Sequence, residues 1–160
     1  MRIALAALLF AASALAQGPS TSLPSACGPK DATFVAKLDK SQHTMAQPEP
    51  GKARVYFIQE AGVKVVFWMD GAWIGANDTN SYFSVSVGPG EHHLCVNVQN
   101  HLGHPMGLAH FTAEAGSDYY FSARVLTIAS GQYLFFGAED SDQAKFQIAL
   151  YPLSVSTPIK

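Results

Sequence analysis

The sequence predicts a mainly β protein: a small antiparallel β-sandwich or distorted barrel with one short C-terminal helix. Three observations predict it. Apolar residues recur with a period of two along several short segments, the spacing that puts side chains on one face of a strand. Turn residues such as Asp70-Gly71, Gly88-Pro89-Gly90 and Ala115-Gly116-Ser117-Asp118 separate those segments, as they do in sandwiches and barrels. Only one stretch carries both helix-start and helix-stop signals.

Residues 1–16 read as an export signal. Met1-Arg2 gives a short positive start, Ile3 to Ala12 is an unbroken apolar run, and Ser13-Ala14-Leu15-Ala16 ends in the small-x-small pattern of a cleavage site. Cleavage is expected between Ala16 and Gln17. The run is shorter than the ~20 apolar residues needed to span a bilayer, and no later segment is long enough, so no membrane span is expected after signal removal. A lipid anchor is not expected either, because Pro24 stands three residues before Cys27, where a lipidation box carries Leu. The expected location is outside the cytoplasm, periplasmic or extracellular.

Residues 17–52 form an irregular arm and linker. Gln17 to Pro29 is rich in Pro, Ser and Gly, Thr33 to Leu38 makes one short strand, and Asp39 to Lys52 is polar with Pro48, Pro50 and Gly51. The domain proper runs over 53–155. Val55 and Phe57 alternate with Arg54, Tyr56 and Ile58; Val63, Val65, Phe67 and Met69 follow the same rule. Asp70-Gly71 is a strong hairpin signal, because both residues tolerate positive φ, and Trp73-Ile74 starts the return strand. Phe83, Val85 and Val87 lead into Gly88-Pro89-Gly90; then Leu94, Val96 and Val98 share a face with His92. After a loop over Asn100 to Gly107, strands are predicted at Ala109 to Ala113, Tyr119 to Ile128 and Gln132 to Phe136. In Glu139 to Tyr151, Asp140 or Ser141 caps a helix that Pro152 stops, although Phe146, Ile148 and Leu150 also fit strand alternation.

Composition limits the function classes. Of 160 residues, 48% are apolar and 14% charged, with a formal charge of -2. That supports a packed core and lacks the basic patch that nucleic acid or anionic lipid requires. The only two cysteines, Cys27 and Cys95, would both reach an oxidising compartment and are expected to form a disulfide. Alternation places Cys95 with His93 and Asn97, opposite Leu94, Val96 and Val98. Its sulfur would therefore meet the N-terminal arm on the far side from the core.

The run Gly51-Lys52-Ala53-Arg54-Val55-Tyr56-Phe57-Ile58-Gln59 resembles the opening of a bacterial family, the domain of unknown function 2846 family. The likeness continues through Met69-Asp70-Gly71, Trp73-Ile74-Gly75, Ser81-Tyr82-Phe83, Val87 to Cys95 and Leu150 to Ser154. It implies an exported β-rich domain of the bacterial envelope. It transfers no site residues, since the family has no established activity.

Few residues suggest chemistry. Five of the six histidines fall between His92 and His110. His101-x-x-His104 with His92, His93 or His110 is the candidate metal set, yet His92 and His93 point to opposite faces of one strand, and the spacing matches no established site. His93 and Cys95 share a face but lack the orienting group and oxyanion site of a nucleophilic dyad. Asn77-Asp78-Thr79 fits the glycosylation acceptor pattern. Trp68, Trp73, Tyr82, Tyr119 and Tyr120 cannot all face inward, which makes Trp73 and Tyr82 candidates for stacking on sugars. The leading expectation is a non-enzymatic envelope domain, without a cofactor, that binds a protein or polymer partner or plays a structural role. Metal binding through His92–His110 and carbohydrate binding through Trp73 and Tyr82 are the alternatives.

Overall fold

A computed structural model describes residues 27–28, 33–41, 45–60, 62–99, 106–129 and 131–159. The expected signal segment, part of the expected arm and residues 100–105 lie outside the described residues. Ten strands and one helix follow in chain order. They are β1 (Phe34–Asp39), β2 (Ala53–Glu60), β3 (Val65–Met69), β4 (Ala72–Asn77), β5 (Ser81–Val87), β6 (Gly90–Val98), β7 (Met106–Ala113), β8 (Asp118–Ile128), β9 (Gly131–Ala138), α1 (Ser141–Leu150) and β10 (Leu153–Pro158).

The strands form a sandwich of two sheets, one of six strands ordered β1-β10-β5-β2-β8-β9 and one of four ordered β4-β3-β6-β7. The six-stranded sheet is mixed, because β2 pairs β8 in parallel and β10 meets β5 in parallel. Alternation explains which residues face inward. Val55, Phe57, Phe83, Phe121 and Ala123 of the large sheet pack on Val65, Phe67, Leu94, Val96 and Val98 of the small one, all nearly devoid of solvent contact. Between β3 and β4, Asp70 and Gly71 adopt φ of 52° and 80°, the two positive angles that a two-residue hairpin turn needs.

Both outer faces carry a further layer. On the large sheet, α1 lays Ala144 and Ile148 over Tyr56, Ile58, Tyr82 and Tyr120. Asp140 caps α1 by accepting from the amides of Asp142 and Gln143 at 3.0 and 3.1 Å, and Pro152 follows its end. Burial pushes the Tyr56 hydroxyl up to about 12, with the Asp118 carboxylate adding to the effect; that hydroxyl donates to the Ala46 carbonyl at 2.8 Å. On the small sheet, Phe34 stacks on Trp73 with ring centroids 4.6 Å apart and meets Trp68 edge-on. Cys27 is joined to Cys95 on this same face. Gly28 passes so close that a Cβ there would overlap the Trp68 indole. The Gln99 side chain accepts from the Phe34 amide at 2.9 Å and donates to its carbonyl at 3.2 Å, copying a strand partner.

Three features depart from the sequence reading. The large sheet is mixed rather than antiparallel throughout, because β2 and β8, which are distant in the chain, run side by side in the same direction. The strand expected in the arm is an integral member of the large sheet, paired with β10 from Phe34↔Pro158 to Asp39↔Leu153. β10 itself was not expected, and it runs three residues past 155. Its polar alternates, Ser154 and Ser156, hide its character because they face the edge of β4 rather than water. There the Ser154 hydroxyl donates to the Ala76 carbonyl at 2.7 Å and the Ser156 oxygen accepts from the Ala76 amide at 2.9 Å. The two serines thus substitute for a missing ladder partner and close one side of the sandwich. Ser154→Ala is expected to destabilise the fold by about 1–3 kcal/mol, because a buried carbonyl loses its donor; urea unfolding measures it.

Candidate functional site

Among the described residues, one part of the surface left without a covering layer is the β8–β9 hairpin. Outward residues of β8 beyond the helix are Arg124, Leu126 and Ile128; those of β9 are Tyr133 and Phe135. Register sets Leu126 against Tyr133 and Arg124 against Phe135, so these side chains form one continuous strip. Leu126, Tyr133 and Phe135 are 52%, 46% and 58% exposed. The inward alternates Leu134 and Phe136 join the core, which anchors the hairpin from beneath.

β9 ends its sheet, so the outer side of its backbone ladder has no strand partner among the described residues. Protein edges are ordinarily blunted by charge, proline or cover. Edge strand β1 carries Lys37 and Asp39, and β4 is covered by the two serines. From Gly131 to Ala138, β9 holds no charged residue and no proline. A groove of about 400 Å³ runs beside it, lined by Gly107, Arg124, Leu134, Phe135, Phe136 and Glu139. Gly107 of β7 lies directly against Phe136, where a side chain would not fit. At the far end of the groove the Arg124 guanidinium donates to the Glu139 carboxylate at 2.6 Å and also approaches Glu60 at 3.5 Å. The groove thus joins the charged pair Arg124 and Glu139 and the Ser122 hydroxyl to the aromatic surface of β9. Such an edge can take up an extended chain.

The residues singled out from the sequence lie elsewhere. Tyr82 is 2% exposed beneath α1, and Trp73 stacks on Phe34 at the opposite face of the sandwich. They cannot form a shared sugar platform: one is buried by the helix and the other is engaged by the arm. Asn77 is buried and its amide donates to the Phe57 carbonyl at 3.0 Å, so the acceptor pattern around it is spent on structure. Cys95 is disulfide-bonded and is no thiol nucleophile.

Of the histidines, His101 and His104 lie outside the described residues. His92 and His93 take opposite faces, as alternation requires. The His93 ring stands 6.1 Å from that of His110 on the neighbouring strand, with its Nε2 3.5 Å from Glu91. Both ring nitrogens of His92 are occupied, Nδ1 by Asp70 at 2.7 Å and Nε2 by the Gly88 carbonyl at 2.9 Å. No group of three possible metal ligands occurs among the described residues.

Tyr133 and Phe135 were not singled out as site residues from the sequence. The available signal was Tyr133-Leu134-Phe135-Phe136, four consecutive apolar residues that alternation cannot all bury in a two-sided strand. Compared with known proteins, the chain matches no family model and no curated protein.

Proposed function

We propose that this is an exported, non-enzymatic binding module of the envelope that takes up an extended segment of a partner polypeptide along β9. The observation that carries the reading is the unblunted edge: eight residues without charge or proline, bearing exposed Tyr133 and Phe135 beside an open groove. The chemistry of that edge selects the occupant. A row of backbone amides and carbonyls at strand spacing is satisfied by another peptide backbone, and neighbouring pockets read its alternate side chains. Export is supported by the signal-like first sixteen residues, by the disulfide, and by the resemblance to the domain of unknown function 2846 family. Among the described residues no helix is long and apolar enough to cross a membrane.

Random-peptide display on the folded protein tests the reading. Enriched peptides are expected to alternate apolar residues, to bind the wild type, and to lose at least tenfold in affinity for the Tyr133→Lys/Phe135→Lys double variant. Both positions face solvent, so the variant should keep its fold and melting temperature. Failure to enrich any peptide, or binding indifferent to the two lysines, would count against the proposal.

A further inference from the structure

His92 sits where two parts of the sandwich meet. Gly88-Pro89-Gly90 carries the chain from β5 in the large sheet to β6 in the small one, and Asp70 lies in the β3–β4 turn. The imidazole spans the gap, with Nδ1 2.7 Å from Asp70 Oδ2 and Nε2 2.9 Å from the Gly88 oxygen. A carboxylate and a carbonyl are both acceptors, so each ring nitrogen must carry a hydrogen, and only the imidazolium has two. A protonated Asp70 would remove that requirement, but its other oxygen accepts from the His93 amide at 2.8 Å, which favours the ionised carboxyl.

We propose that His92 is a proton-operated clamp: doubly protonated it ties the sheet-to-sheet corner at Gly88 to the hairpin turn at Asp70, and on losing one proton it releases the corner. The released side follows from acceptor strength. Neutral imidazole keeps one hydrogen, and the carboxylate, being charged, is the stronger acceptor. The hydrogen stays on Nδ1, and the Nε2 lone pair then faces the lone pairs of the Gly88 oxygen. The clamp is independent of the binding reading for β9.

The surroundings contain few competing charges. Asp70 comes from the turn, and Glu91 and His93 flank His92 on β6. Across on β7, the uncharged Phe111 ring lies 5.5 Å from the imidazole; behind it stands Tyr119 of β8. His110 of β7 stands against His93 rather than His92. Burial works against the imidazolium, yet the Asp70 carboxylate and Gly88 carbonyl overcome it and raise its titration above the ordinary 6.5. Burial likewise opposes the Asp70 carboxylate, and the His93 amide and the His92 ring overcome that to hold it below its ordinary value. A raised histidine stabilises the fold fully below its unfolded value and loses that contribution as pH rises through the folded one. A lowered carboxyl does the reverse, so the clamp is closed in mild acid and opens on the alkaline side.

Nitrogen-15 NMR of the imidazoles reads the states directly. Below its midpoint His92 is expected to carry hydrogen on both nitrogens, and above it on Nδ1 alone. Amide exchange at Gly90 and Glu91, corrected for intrinsic pH dependence, should speed up severalfold through the same midpoint. Asp70→Asn should move that midpoint down, and it suits the turn because Asn tolerates positive φ; His93→Asn and His110→Asn should leave it in place. A midpoint indifferent to Asp70→Asn, a single ring hydrogen at mildly acidic pH, or corner exchange that ignores the titration would each overturn the clamp.

Discussion

Cys27→Ser is expected to lower the melting temperature by about 10 °C while leaving the β-sheet circular dichroism intact. The bridge joins residues 68 positions apart, and closing a loop of that size in the unfolded chain is worth about 4 kcal/mol on the entropy model. The realised loss should fall somewhat short of that, because Cys27 belongs to a terminal arm whose other ties survive. Phe34 remains stacked on Trp73, and the Gln99 clamp remains in place. A loss near 3 kcal/mol corresponds to the stated shift for a domain of this size. Thiol titration of the unfolded, unreduced wild type should find no reactive thiol. Two thiols per chain, or a variant that melts with the wild type, would remove the bridge from the stability account.

The largest loss is expected from Phe57→Ala, about 3–5 kcal/mol. Phe57 occupies the middle of β2, between β5 and β8, and has no solvent contact. Its ring lies 5.0 Å from Phe83, 5.2 Å from Phe67 and 6.1 Å from Phe121, so it links both sheets through one aromatic cluster. Truncation forfeits the transfer term and leaves a cavity walled by rigid rings that cannot collapse into it. Phe57→Leu, which keeps most of the volume, should recover more than half of the loss. Chemical denaturation at fixed pH measures both; equal midpoints for the wild type and the alanine variant would contradict the packing described here.

Features set by neighbours in sequence were legible before the structure. Asp70-Gly71 forms its turn because two adjacent residues decide it, and Asp140 caps α1 for the same reason. Cys95 faces the arm because alternation separates it from Leu94 and Val96. Features set by distant partners were not legible. Nothing local in Arg54-Val55-Tyr56 says that β2 lies parallel to β8, and Leu153 to Pro158 reads as a tail until Ala76 supplies what its serines bond. The candidate site divides in the same way. The apolar run from Tyr133 to Phe136 is visible in the sequence, but its position at a sheet edge depends on strand order. Trp73 and Tyr82 misled because alternation reveals that some aromatics must face outward without revealing what covers them.

The placement of β10 has a consequence for how the protein is made. Among the described residues β1 has no strand neighbour other than β10, although paired residues such as Asp39 and Leu153 stand 153 - 39 = 114 positions apart in the chain. Synthesis delivers β10 long after β1, so β1 must wait without this partner until β10 arrives. The same strand brings the serines that satisfy Ala76. Completion of the large sheet and closure of the small sheet's edge are therefore one late event, and the distance between the partners makes it slow. A chain emerging N-terminus first remains an open sandwich until β10 has emerged.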